Sequence, residues 1–149
     1  MHQIKRTDSD DHDFKKLIKK LDEYLKIVDG DDHDFYDQYN KTDAIKNVIL
    51  YYEDKFAIGC GAFKKYDDDT VEIKRMYVSE VHRGKGIGAI ILKELELWAA
   101  ELNYNSTILE TGKKQVEAIS LYKKCGYDLI PNFGPYENVT TSVCMKKLI

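Results

Sequence analysis

Val71-Glu72-Ile73-Lys74-Arg75-Met76-Tyr77-Val78, then Ser79-Glu80-Val81-His82-Arg83, then Gly84-Lys85-Gly86-Ile87-Gly88: the reading of this stretch decides how the rest of the 149-residue chain is read. The first eight residues predict a strand and the next five a loop. From there Ile87, Ile91, Leu95, Trp98 and Leu102 recur at helical spacing, so a long helix with one apolar face is expected to begin at Gly86. Three glycines in five residues at a helix start let the backbone turn tightly and approach a ligand. The first amides of a helix have no partner within it, and its dipole adds partial positive charge there. Together they form a cradle for phosphate or pyrophosphate. Arg83 and Lys85 place two cations beside it. A plain solvated turn is the alternative, but such a turn seldom needs three glycines and two bases ahead of an apolar helix.

Two kinds of nucleotide cradle can be weighed. The GxxxxGK[ST] signature of a P-loop is absent. Gly84, Gly86 and Ala89 do satisfy GxGxxA, and Glu110 ends the next strand as a ribose-binding acid would. Against a dinucleotide fold, Ser79–Arg83 separate the glycines from the strand, and the chain after Glu110 is too short for the rest of a doubly wound sheet.

Composition bounds the class. Hydrophobic content of 43%, charged content of 33% and a net charge of −3 describe an ordinary globule expected to fold as one domain over residues 1–149, with no support for a nucleic-acid partner. Residues 1–43 carry 12 acids and 8 bases, an acidic flank that is either a solvated face or an attraction for a cationic acceptor. Cys60, Cys125 and Cys144 sit in apolar surroundings without a CxxC pair. That pattern, a polar start at Met1–Asp13 with no apolar signal region, and the lack of any 18-residue apolar run lead to the expectation of a cytoplasmic protein that does not enter a membrane. His12, His33 and the nearby aspartates lack calcium-loop or zinc spacing, so no metal is expected.

In chain order, residues 1–7 predict a short strand. A helix capped by Asp10, Asp11 or Asp13 follows, with Phe14, Leu17, Ile18, Leu21, Leu25 and Val28 on its apolar stripe and Gly30 as its stop. Asp31–Asn40 predicts a second helix carrying Phe35, Tyr36 and Tyr39. Strands Asn47–Glu53, Phe56–Lys65 and Val71–Val78, joined by short turns, predict an antiparallel meander. Strand Thr107–Thr111, helix Gln115–Cys125 and a closing antiparallel pair, Tyr127–Ile130 and Thr141–Lys147, complete the pattern. Pro131–Tyr136 forms a rigid aromatic loop between the last two. The fold class is α+β: a central mixed, mostly antiparallel, twisted sheet of six to seven strands with helices on both faces.

Two segments carry a resemblance to a known family. Arg83-Gly84-Lys85-Gly86-Ile87-Gly88 matches [RQ]xxGxG[AG], the acetyl-CoA signature of the GNAT family of N-acetyltransferases, and the five-residue offset from the strand is that family's spacing. Gln115-Val116-Glu117-Ala118-Ile119-Ser120-Leu121-Tyr122-Lys123-Lys124-Cys125-Gly126-Tyr127 resembles its NxxAxxLYxxxGF segment, departing at Gln115 for Asn and Tyr127 for Phe. Two such motifs in the right order are specific where one would be weak.

The resemblance implies direct acetyl transfer from acetyl-CoA to a primary amine of a small-molecule or amino-acid-like acceptor. It implies a strand end, here Met76, Tyr77 and Val78, that splays from its neighbour and pairs with the pantetheine arm. It further implies cofactor contacts from Arg83 through Gly88 and from Gln115, Ala118 and Tyr122. Tyr122 aligns with the family's general-acid tyrosine, although it also shares an apolar face with Ala118, Leu121 and Cys125 and so fits a core position. Glu72 sits at the offset of a strand glutamate that some members use as base; Glu110 is a second candidate. Tyr36, Glu110, Phe133 and Tyr136 are candidate acceptor contacts. His82 reads as loop surface. A second copy of the chain is a candidate partner through the closing strand Thr141–Lys147. A non-catalytic acetyl-CoA sensor on the same scaffold is the rival reading.

Overall fold

The structure is a computed structural model that describes residues 1–30 and 44–149. Asp11 caps the first helix, α1 (His12–Asp29), its carboxylate accepting from the Asp13 and Phe14 amides. Those amides would otherwise lack partners, so Asp11→Ala is expected to cost about 1–2 kcal/mol, read as a lower urea midpoint at unchanged slope. Phe14, Leu17, Leu21 and Leu25 recur every three to four residues and are buried. They pack on Val48, Leu50, Cys60 and Ala62 of the sheet.

Among the described residues, seven strands follow the chain as β1 (His2–Thr7), β2 (Asn47–Glu53), β3 (Phe56–Lys65), β4 (Thr70–Val78), β5 (Ser106–Gly112), β6 (Asp128–Ile130) and β7 (Ser142–Leu148). They lie in the order β1-β2-β3-β4-β5-β7-β6. Only β4 and β5 are parallel, as a helical crossover between them requires. That crossover is α2 (Ile87–Glu101), and α3 (Val116–Lys124) follows β5. α1 packs on one face of the sheet and α2 on the other.

The α2 face differs from the sequence reading at one end. Ile87, Ile91, Leu92, Leu95 and Ala99 are its buried apolar residues; Leu102 is 48% exposed because it lies beyond the helix as its C-cap. Trp98 packs edge-on to Phe63, ring centres 5.8 Å apart. A Cβ at Gly61 would stand 2.9 Å from both Ile91 and Leu95 side-chain carbons, so glycine lets the helix close on β3 at this point.

Two irregularities shape the centre of the sheet. In β4, Arg75 and Met76 together face Gly61 between the paired residues Ala62–Lys74 and Cys60–Tyr77, and Arg75 has φ +58°. This is a β-bulge, which bends its strand. β4 and β5 pair only from Thr70–Glu72 to Ser106–Ile108. Beyond Glu72 they part, leaving one backbone edge of β4 open inside the fold.

β7 lies between β5 and β6, hydrogen-bonded on both edges. β6 therefore covers the outer edge of the closing strand at Cys144–Lys146, and that stretch is not an open edge for a second copy. β5 runs one residue further at each end than Thr107–Thr111. The expected helix over residues 31–40, with Tyr36 and Tyr39, lies outside the described residues. The three cysteines are free, with Cys60 and Cys144 buried. No described helix is long and apolar enough to cross a membrane, and no metal-binding cluster occurs among the described residues.

Candidate active site

The glycine-rich turn leads from β4 through a short 3₁₀ turn at Glu80–His82 to Gly86, which caps α2. Gly84 and Gly86 have φ of +78° and +80°, and a Cβ on either would meet nothing within 4 Å. The amides of residues 84–88 find no partner among the described residues. Gly88 serves a different purpose: a Cβ there would lie 3.0 Å from Leu121 Cδ2, so its absence lets α2 and α3 approach. The free amides line a cavity of about 970 Å³ walled by Met76–Val78, His82–Gly84, Gly86–Ala89, Gln115–Ala118 and Ser120–Tyr122.

The cations are used differently from the sequence reading. Arg83 Nε donates to the Val78 carbonyl at 2.8 Å, and its guanidinium lies over the Tyr24 and Tyr77 rings, 4.7 and 5.5 Å from their centres. It lines the cavity while clamping the end of β4 to α1. Lys85 is exposed and outside the cavity lining. His82, read as loop surface, is a cavity wall. Its Nε2 is 3.0 Å from Glu53 Oε2, and its buried Nδ1 has no partner among the described residues. Glu53 is 29 positions earlier and reaches it only through strand pairing, so no local signal marked the pair.

A second cavity, about 80 Å³, opens where β4 and β5 diverge, with Asp29, Lys74, Arg75, Glu110, Thr111 and Gly112 in its walls. Leu21, Met76, Gln115 and Tyr122 line both spaces. Tyr122 is 6% exposed, and its hydroxyl has no partner among the described residues. Burial, with the Glu110 charge nearby, pushes its pKa up, so it stays protonated. Glu110 accepts from Ser142 Oγ at 2.7 Å. Burial raises its pKa to about 7, with the charges of Glu72 and Asp29 adding to the rise and Ser142 and Lys74 opposing it.

Glu72 is 8% exposed and lies 3.7 Å from Lys74 Nζ. It lines neither cavity and acts on the site through its charge. Ala118 and Gln115 line the large cavity as expected from sequence. Phe133 and Tyr136 line neither. They meet at right angles, ring centres 6.0 Å apart, and Phe133 meets Tyr66 at 5.3 Å. Apart from His82, Asp29, Arg75 and Ser142 also belong to the site without having been marked by a sequence motif.

A model of the acetyltransferase (GNAT) family matches residues 13–127. The chain belongs to this family. The GNAT chain is 30% identical to a solved Klebsiella pneumoniae protein assigned as an acyl-CoA N-acyltransferase, with a TM-score of 0.83 over 99% of this chain and 97% of that one. A GNAT acetyltransferase from Elizabethkingia anophelis, solved with acetyl-CoA bound, shares the fold at a TM-score of 0.71 and 20% identity, covering 99% and 98% of the two chains. Among curated proteins, an IAA acetyltransferase of Azospirillum brasilense is 36% identical over 91 residues, 60% of each chain. The matches span 60% or less of the length of such curated relatives.

Proposed function

We propose that this protein transfers an acetyl group directly from acetyl-CoA to a primary amine of a small-molecule or amino-acid-like acceptor. The observation that carries the reading is the meeting of two cavities at Tyr122, beside a buried carboxyl group titrating near neutrality. Unpaired amides at residues 84–88 suit a diphosphate. The open edge of β4 at Met76–Val78 suits an amide-bearing arm, and a backbone N–H there suits the developing oxyanion. Acetyl-CoA supplies the activated acyl group.

Glu110 takes the proton from the acceptor ammonium. The free amine attacks the thioester carbonyl, a C–N bond forms and the C–S bond breaks. Tyr122 gives its proton to the departing sulfur, and the second proton, shed by the nitrogen as the amide forms, restores the phenol. A thiolate leaves readily even without an acid, so Tyr122→Phe is expected to lower kcat only about 10- to 100-fold. Thiol release across a panel of amines tests the reading, alongside thermal stabilisation by acetyl-CoA, which ligand binding to the native state must produce. Release with at least one amine, slowed in Tyr122→Phe at unchanged acetyl-CoA stabilisation, is expected. Stabilisation with no release for any amine would instead identify a sensor, and neither response would overturn cofactor binding itself.

A further inference from the structure

A buried polar cluster lies on the α2 side of the sheet, lining neither cavity. Tyr127 is 3% exposed. Its hydroxyl donates to Glu96 Oε2 at 3.0 Å and lies 2.6 Å from Thr107 Oγ1. A phenol has one proton to give, so Thr107 is the donor in the second bond. The other Glu96 oxygen accepts from Lys147 Nζ at 2.8 Å. The cluster thereby joins α2, β5 and β7 to the residue that follows α3 by a short turn.

Burying a carboxylate beside an ammonium costs about as much as their attraction returns, so this cluster adds little stability. What a fully bonded buried network supplies is a fixed arrangement. Packing alone does not require the Tyr127 hydroxyl, since the family's segment carries Phe at this place. The ring that the cluster fixes lies against Tyr122. The two ring centres are 5.9 Å apart with planes tilted at 60°, and the Tyr127 amide donates to the Tyr122 carbonyl at 3.0 Å. The Tyr122 hydroxyl has no hydrogen-bond partner among the described residues. Its direction therefore depends on how its ring is packed.

We propose that Tyr127 is a positioning residue for the transfer: held by Thr107 and Glu96, it fixes the wall on which the Tyr122 ring rests and so aims the Tyr122 phenol at the departing sulfur. Glu96 is the anchor, and Lys147 supplies the counter-charge beside it. This deepens the transferase reading and rests on it.

The test is a double-mutant cycle on thiol release from acetyl-CoA, using the full chain. Tyr127→Phe keeps the ring and removes its two bonds. It is expected to lower kcat about three- to tenfold, a part of what the Tyr122 acid contributes, with KM for acetyl-CoA and stabilisation by acetyl-CoA unchanged. In a Tyr122→Phe background, where no phenol remains to be aimed, the same change should alter kcat by less than about twofold. Thr107→Val removes one bond at nearly constant shape and serves if Tyr127→Phe does not fold. It should give a smaller loss, with the same dependence on Tyr122. Equal losses in both backgrounds would make the hydroxyl a brace for the fold and overturn the proposal, as would a folded Tyr127→Phe of unchanged kcat. A Tyr122→Phe of unchanged kcat would remove the acid that the proposal acts through and overturn it as well. Stabilisation by acetyl-CoA without release for any amine would overturn the transferase reading itself, and the proposal with it.

Discussion

Glu110→Gln is expected to lower kcat by about 10²- to 10⁴-fold near pH 7, the range that loss of a general base produces. Glutamine preserves the volume and can still meet Ser142, so the change removes proton acceptance with little disturbance of packing. The unaltered protein should show kcat/KM rising with pH through about 7, where Glu110 loses its proton, and the variant should lose that limb. Stability should move the other way. Glu110 is held protonated in the fold to higher pH than in the unfolded chain, so between pH 4.5 and 7 the native state binds more protons and stability falls as pH rises. Glutamine avoids that loss. A variant slower than the unaltered protein yet more stable at pH 8, with the two converging in stability below pH 4, is the expected pair of results from pH–rate profiles and denaturant titrations. A variant of unchanged rate would move the base to another group.

Gly86→Val should weaken acetyl-CoA binding by about 100-fold or more, measured by calorimetric titration. Two costs combine. A side chain at φ +80° is strained by about 1–2 kcal/mol, more for a β-branched one. The space in front of it is open now, and a valine would fill ground otherwise left to a ligand facing the unpaired amides. Gly86→Ala separates the two effects, since it carries most of the backbone strain with little bulk. Unchanged affinity in the valine variant would show that the cradle is not where the diphosphate sits.

The elements were largely legible because each rested on local periodicity. The bounds of β2 and β3 agree with their alternation and turns, Gly30 marked the end of α1, and its start was narrowed to Asp10, Asp11 or Asp13, of which Asp11 is the cap. The glycine-rich turn and Tyr122 were legible because backbone freedom and a spaced motif are properties of contiguous residues. What the sequence could not order was the pairing across distance. Glu72 stood first as the base and Glu110 second, but the splay of β4 from β5 puts Glu110 on a cavity wall and leaves Glu72 off it, beside Lys74. His82 gained its role from Glu53 on a neighbouring strand. Phe133 packs on Tyr136 and on Tyr66, because a proline-rich loop folds back as readily onto its own sheet as over a cleft. Arg75 was the least readable, since a bulge gives no signal in the alternation of side chains until the partner strand is known.

The parting of β4 from β5 has an implication for what else this protein meets. A row of unsatisfied amide and carbonyl groups on an outer strand invites neighbouring polypeptides to add themselves, with aggregation as the outcome. Here the open row at Met76–Val78 faces a cavity whose walls include Leu21 and Tyr24 of α1 and Gln115–Ala118 at the start of α3. The molecule thus keeps an open strand edge that is reached from its own cavity, walled by helices, and not from a flat outer face.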